Sequence, residues 1–318
     1  MVTIVIPNYN GYAFLEDCLN ALKPERNEKV KVLVVDNGST DESVAFLKAR
    51  QDVETIFLKE NTGFCGAVNV GIKASNTKYV ILLNNDTKVL PGYVQSLIDV
   101  MEQDEKIFSA SAQMLQMHAP ELIDDSGDDY CVLGWAFTRG KGKPATKYNK
   151  AREVFAACGG ASIYRRKVFD EIGFFDERHF AYLEDIDIGY RARLYGYRNV
   201  YAPGAKVLHF GSGFSGSKHN DFKVHLSSRN SVYLAWKNMP ALQYVLNTPF
   251  LAVGCLVKYL FFVRKGLGAS YRRGISEGIK LLKEPEVKVQ KAHMLKHCRG
   301  GFLRIQMLLL KNLRGLYD

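Results

Sequence analysis

The chain has 318 residues, 47% hydrophobic and 12% aromatic, enough to bury one large core or two smaller ones and too apolar for a disordered or fibrous protein. Its formal net charge of +10 arises from 43 Lys+Arg against 33 Asp+Glu, and the excess is unevenly spread. From Lys237 onward there are 15 basic and 4 acidic residues, leaving 28 and 29 in the first 236, so the tail suits an anionic surface (a membrane leaflet or a nucleic acid) while the rest carries no such mark.

The N-terminal half alternates β-branched runs with helical patterns. The strand "VTIVIP" precedes a helix in which Phe14, Leu15, Cys18, Leu19 and Leu22 share one face. After "KVKVLVVD" comes a helix whose start is expected at Ser39, with Glu42 at the capping-box spacing. "VETIFL", the helix "GFCGAVNVGIKAS", the strand "KYVILLNND" and the proline-led helix "PGYVQSLIDVMEQ" complete the alternation. Four near-continuous apolar strands separated by helices predict an α/β protein with a parallel, doubly wound sheet. Ligands of such sheets lie off the carboxyl ends of the strands. Here those ends carry Asn8-Tyr9-Asn10, Asp36-Asn37-Gly38 and Asn84-Asn85-Asp86. A single aspartate after a strand is commonly a turn former, and Asp36 alone would be read that way; three polar ends together point to a site.

Residues 118–150 are irregular and uninformative by pattern. The stretch from Ala157 to Phe210 then supplies a glycine-rich turn, two helices and a strand ending on His209. Within it, "YLEDIDIGYRARL" holds Glu184, Asp185 and Asp187 beside a helical face of Leu183, Ile186, Tyr190 and Leu194. Asp187 falls at the edge of that face with Arg191 at i+4, which predicts a half-buried ion pair. Glu184 lies on the flank. Asp185 points away from the packed side, toward a cleft or simply at the helix N-terminus, where acids are favoured anyway. The three diverge too far to hold one metal ion together.

The six cysteines are scattered without a C-x-x-C pair and no signal peptide precedes "TIVIP", so a reduced, cytosolic protein without a zinc site is expected. From Asn238 to Val257 there are 20 residues without a formal charge, long enough for a membrane span. Asn238, Gln243, Asn247 and two prolines argue instead for helices lying in the membrane interface, and the basic, leucine-rich "RGGFLRIQMLLLKNLRG" agrees with that. A helical subdomain or a homodimer interface is the alternative.

Taken in order, "VTIVIPNYNG", "VVDNGSTDES", "NTGFCGAVNVGI", "YVILLNNDT", "GGASIYRRKVFDEIGFFDERHFAYLEDIDIGYR" and "GYRNVYAPGAKVLHF" resemble the motifs of family 2 glycosyltransferases, most of all the bacterial rhamnosyltransferase-like branch. The resemblance runs to about residue 238. It implies a GT-A fold: a Rossmann-like nucleotide-sugar-binding half (1–117) fused to an acceptor and catalytic half (118–238); the basic, helical region that follows (239–318) is expected from its own pattern to associate with a membrane. It implies inverting sugar transfer from a nucleoside diphosphate, best matched by dTDP-L-rhamnose, to a hydroxyl of a lipid-linked or oligosaccharide acceptor. UDP-hexose or UDP-N-acetylhexosamine is the alternative donor. Transfer would take place at the cytoplasmic face of the bacterial inner membrane, in surface polysaccharide synthesis. By the same resemblance, Pro7, Tyr9, Asp36, Asn61, Gly63, Asn69, Asn85 and Asp86 contact the nucleotide. Asp86 and His209 hold Mg²⁺ or Mn²⁺, and Asp185 is the base. Apart from the resemblance, Gly160, in a tight glycine turn, and Glu184, on the helix flank, are candidates to border the acceptor. Lys218 and Arg229 are candidate diphosphate clamps. Where many relatives carry Asp-x-Asp, this chain has Asn84-Asn85-Asp86, which throws more of the metal ligation onto His209. A sugar-phosphate nucleotidyltransferase would need a glycine-rich loop after the first strand, which "IPNYNGYAFL" lacks. A non-catalytic membrane- or nucleic-acid-binding adaptor on the same fold is opposed by the near-neutral first 236 residues, which also argue against a nucleic-acid partner, and by the intact Asp36, Asp86, Asp185 and His209 set.

Overall fold

A computed structural model describes residues 1–211, 219–296, 298 and 302–316. Its elements in order are β1 (Val2–Asn8), α1 (Tyr12–Ala21), β2 (Val30–Asp36), α2 (Ser43–Lys48), β3 (Glu54–Phe57), α3 (Gly63–Ala74), β4 (Tyr79–Leu83), β5 (Thr87–Val89), α4 (Tyr93–Glu102), β6 (Ile107–Gln116), β7 (Ala119–Asp125), β8 (Asp128–Tyr130), β9 (Ala136–Thr138), β10 (Arg152–Val154), β11 (Ala161–Arg165), α5 (Val168–Ile172), α6 (Glu184–Leu194), β12 (Arg198–His209), α7 (Asp221–Asn238), α8 (Ala241–Arg264), α9 (Gly268–Leu281), α10 (Pro285–Lys296) and α11 (Phe302–Lys311).

The expected parallel sheet is present as one half of a larger one. Strands β3, β2, β1 and β4 pair in that order, all parallel. Successive side chains of a strand face opposite sides. On β1, Val2, Ile4 and Ile6 therefore pack under α1 and α4, and Val5 packs on the other side with Cys65, Val68 and Ile72 of α3. Beyond β4 the sheet becomes mixed: β11 runs antiparallel between β4 and β6, and β12 runs parallel to β6. The alternation pattern misses β11 because "ASIYR" is a five-residue run with no helix linking it to its partners. This half of the sheet positions the site. Ala161 pairs with Leu83, which sets Gly159-Gly160 beside the end of β4, and His209 pairs with Thr87, which sets the end of β12 on the other side.

Two local expectations change. The capping box does not form: α2 begins at Ser43 with no side-chain cap, and the Ser39 hydroxyl instead accepts hydrogen bonds from Asn8 Nδ2 (3.3 Å) and the Asn10 amide (2.9 Å). Helix α6 is packed on nearly every side rather than along one stripe, because Asp187, Arg191 and Arg193 are themselves buried and paired. Asp187 is more than half-buried; it is 1% exposed, with Arg191 donating from Nε (3.0 Å) and Nη2 (2.8 Å) to its Oδ2.

In the C-terminal region two of the polar residues that argue against a membrane span turn inward. Gln243 and Asn247 are fully buried on α8. Tyr190 donates to Gln243 Oε1 (2.7 Å), and both amides meet Gln306 of α11.

Candidate active site

The carboxyl ends of β1, β2 and β4 are tied together by amides. Asn85 donates to Asn8 Oδ1 (2.7 Å), Asn8 donates to Asp36 Oδ1 (2.9 Å), and the Ser39 amide donates to Asp36 Oδ2 (3.1 Å). Asp36 is only 1% exposed, so it organises this edge rather than offering a free carboxylate. Pro7 and Tyr9 are half-buried beside it. Gly11 is forced by the same network, since a Cβ there would come within 2.0 Å of Asn85 Nδ2.

A second bracket shapes the start of α3. Asn37 accepts from the Thr62 amide (3.0 Å) and donates to Asn61 Oδ1 (3.0 Å) and the Gly63 carbonyl (3.1 Å). Gly63 has φ +75°, and a Cβ on it would lie 2.5 Å from the Phe180 carbonyl, so the loop before α6 sits directly on this turn. Asn69, expected along the nucleotide, instead braces the chain ahead of α6. It is buried, accepts from the Phe175 amide (3.0 Å) and donates to the Phe175 carbonyl (2.8 Å) and Glu177 (3.0 Å). Arg229 is likewise no clamp, because its guanidinium donates to the carbonyls of Arg178 (2.6 Å) and His179 (3.0 Å). Lys218 lies outside the described residues.

Asp86 and His209 meet at the centre of the edge. His209 Nε2 lies 3.3 Å from Asp86 Oδ1, and its Nδ1 lies 2.6 Å from Asp124 Oδ2, which is anchored in turn by Lys141 at 2.7 Å. Burial works against a charged imidazole, yet the two carboxylates hold its pKa up at about 9. Burial also opposes ionisation of Asp124, and the hydrogen bonds from His209 and Lys141 overcome it, bringing that carboxyl down to about 2. An oxygen donor and an imidazole nitrogen, converging in a largely buried pair with the far nitrogen fixed by a carboxylate, fit a divalent cation that takes mixed O/N ligation.

Asp185 sits in the first turn of α6 with Oδ1 buried and without a hydrogen-bond partner among the described residues. Burial, reinforced by Glu184, pushes its pKa well above the usual carboxylate value. A Cβ on Gly159 would lie 2.8 Å from that Oδ1, so Gly159 borders Asp185; Gly160, expected beside the acceptor, is buried and its carbonyl accepts the Asn84 amide (2.8 Å). Glu184, expected on the flank, is 8% exposed, its Oε2 has no partner among the described residues, and burial raises its pKa. Asp125, Asp128 and Cys158 form a neighbouring group whose ligand atoms lie within 4.8 Å of one another, a second place where a cation could be held. Burial pushes Asp125 up to about 6 and Asp128 well above its ordinary value, and the charge of Asp185 adds to the shift on Asp128.

The family description "Glycosyl transferase family 2" matches residues 3–173, more than half of the chain. The chain belongs to glycosyl transferase family 2. This glycosyltransferase is 28% identical over 269 residues to the N-acetylglucosaminyl-diphospho-decaprenol L-rhamnosyltransferase of Mycobacterium tuberculosis, covering 73% of the chain and 85% of that protein. Among solved structures it resembles S. aureus TarS 1-349 in complex with UDP-GlcNAc (TM-score 0.59, 15% identity, 98% of this chain and 91% of that one). It also resembles GalNAc-T7 with UDP, GalNAc and Mn²⁺ (TM-score 0.60, 16% identity, 74% and 47%). The fold is GT-A.

Several residues that build the glycosyltransferase site give little sign of it in the sequence. Asn8 is visible there only as a polar strand end. Asn37 lies inside the "DNGSTD" run, where the aspartate draws the attention. Asp124, Asp125 and Asp128 lie in "ELIDDSGDDY", where acids without periodicity give no hint that β7 carries one of them to His209.

Proposed function

We propose that this glycosyltransferase moves L-rhamnose, with inversion, from dTDP-L-rhamnose to a hydroxyl of a lipid-linked glycan. The reading rests on the Asp86–His209 pair, which with a cation would suit a diphosphate, and on Asp185, whose Oδ1 lies against Gly159 next to the end of β4 and would suit a hydroxyl. The similarity to a mycobacterial rhamnosyltransferase named for a decaprenol-linked acceptor supports the donor and the acceptor class.

Asp185 takes the acceptor hydroxyl proton as the oxygen bonds to the anomeric carbon; the carbon–oxygen bond to the diphosphate breaks, and the nucleoside diphosphate leaves with the electron pair. A base so placed contributes about 10²–10⁴-fold. Burial, reinforced by Glu184, keeps its pKa high, which strengthens it as a proton acceptor once ionised. A divalent cation, Mg²⁺ or Mn²⁺, held by Asp86 and His209 would offset the charge on the leaving diphosphate. Pro7, Tyr9, Asn61 and Asn85 line the edge where the nucleotide would lie.

The test is transfer from a panel of dTDP-, UDP- and GDP-sugars to polyprenyl-diphosphate acceptors, with and without Mn²⁺. Rhamnose transfer that requires the cation is expected, with Asp185→Asn losing at least about 10²-fold in kcat while still binding nucleotide. Full activity of Asp185→Asn would remove the base from the scheme, and turnover of UDP-GlcNAc alone would replace the donor.

A further inference from the structure

Helix α8 is built inside out for a protein in water. Over its 24 residues the polar or small positions Gln243, Asn247 and Gly254 are buried, while Leu242, Leu246, Phe250, Val253, Val257 and Leu260 are 44–60% exposed. Those six recur every three or four residues, which makes one apolar stripe along a helix about 36 Å long. The stripe is no consequence of loose docking. Gly254 admits no side chain, since a Cβ would lie 2.1 Å from the Leu133 carbonyl, and its own carbonyl accepts the Trp135 indole N–H (3.1 Å). Gln243 is held by Tyr190 of the helix that carries Asp185. The helix is predominantly apolar, and little of it is buried against the protein.

An apolar area of this extent on a soluble surface marks a partner. We infer that the outward face of α8, extended by Leu303 and Met307 of the adjoining α11, docks in the headgroup and upper acyl region of an anionic lipid leaflet. Charge complementarity selects the leaflet over another protein. The region from Lys237 onward has 15 basic residues against 4 acidic ones, and Glu277, Glu284 and Glu286 among those acids are already paired with His225 and Arg178. Lys237, Arg273 and Lys291 are engaged within the protein, while Arg264 and Lys265 close the end of the stripe in exposed positions, where they can face phosphate headgroups. Helix α8 passes the length test for a span, yet its inward side is fixed to the protein from Gln243 to Gly254. It lies along the leaflet rather than crossing it. Because Tyr190 joins α8 to α6, this docking fixes the catalytic helix relative to the surface from which a lipid-linked acceptor would present its hydroxyl.

Flotation of the full-length chain with vesicles tests this. The wild type is expected to float with phosphatidylcholine vesicles containing phosphatidylglycerol, to bind pure phosphatidylcholine more weakly, and to lose binding to the anionic vesicles as salt is raised. The double variant Val253→Asp/Val257→Asp should bind those vesicles at least about tenfold less. The neutral pair Leu242→Gln/Leu246→Gln should weaken binding in the same direction. Thermal shift with a nucleoside diphosphate, read on the same samples, separates a folding defect from lost lipid contact and tests the transferase reading independently. Equal flotation of wild type and both variants overturns the inference. So does a wild-type dimer in sedimentation that the variants dissolve without any vesicle binding, since the face would then be covered by a second copy.

Discussion

At the scale of single residues, Asp124 decides how well the Asp86–His209 pair can work. An imidazole bonded at Nδ1 to a carboxylate presents Nε2 in a fixed direction and is a stronger base for a metal. Because the same arrangement holds the pKa of His209 near 9, a cation arriving at Nε2 must displace a proton, and its affinity rises with pH up to that value. Asp124→Asn leaves the ring bonded but removes the charge. Mn²⁺ binding followed by electron paramagnetic resonance, in the presence of nucleoside diphosphate, is expected to weaken about 10–100-fold. Unchanged affinity would mean that Asp124 only anchors Lys141 and β7. In the first case kcat at saturating Mn²⁺ recovers, which a purely structural defect would not allow.

At the scale of elements, α7 acts as a strut under the loop that delivers Asp185. Phe180, Tyr182 and Leu183 all have positive φ (61°, 70° and 65°), a costly backbone for side chains of this size, and the surrounding structure must hold it there. Asn230 does so by donating to the carbonyls of His179 (2.9 Å), Ala181 (2.9 Å) and Tyr182 (2.8 Å). Seven residues on, Lys237 sits between Asp187 Oδ1 (2.6 Å) and Asp176 Oδ2 (2.7 Å), with all three residues buried or nearly so. Removing one partner of a buried ion pair strands the other charge, so Lys237→Met should destabilise by about 3–5 kcal/mol in urea titration. A double change that also neutralises Asp187 should recover part of that loss. Little of this strut is legible in the sequence. Strands β1, β2 and β4 declare themselves as apolar runs closed by Asn or Asp, β3 as a shorter run without that ending, and Asp187–Arg191 by its i+4 spacing. What helical periodicity cannot show is that a helix reading Glu-Asp-Ile-Asp at its start and Arg-Ala-Arg near its end is buried all round, because burial of charge depends on partners from Glu153, Ile172 and Lys237, distant in sequence. The inward turn of Gln243 and Asn247 on α8 is hidden for the same reason, since a pattern does not reveal which face meets the protein.

At the scale of the molecule, the buried acids fall into two sets with opposite pH dependence. Asp176, Asp187 and Asp124 are held below their ordinary pKa despite burial, the first two by Lys237 and its neighbours and the third by His209 and Lys141. Their stabilisation is present above the unfolded value of about 3.9 and is lost as pH falls below it. Asp125, Asp128, Glu184 and Asp185 are raised, chiefly by burial and then by the charges of nearby acids. The native state then binds more protons than the unfolded chain, so stability drains away as pH rises from about 4 through the folded values, near 6 for Asp125 and well above the ordinary carboxylate value for Asp128 and Asp185. His209 adds to the same slope: its contribution is complete below about 6.5 and vanishes as pH passes 9. Thermal midpoints measured across pH without metal should therefore peak between about 4 and 5 and decline toward 9. Asp128→Asn should flatten the decline by removing one forced ionisation. The reaction needs the opposite condition, because Asp185 accepts a proton only when ionised, and the rate should climb with pH over the range in which the apoprotein weakens. A midpoint that rose with pH from 5 to 8 would mean that the acids beside Asp185 are already ionised and solvated, and the high pKa assigned to the base would fall with them.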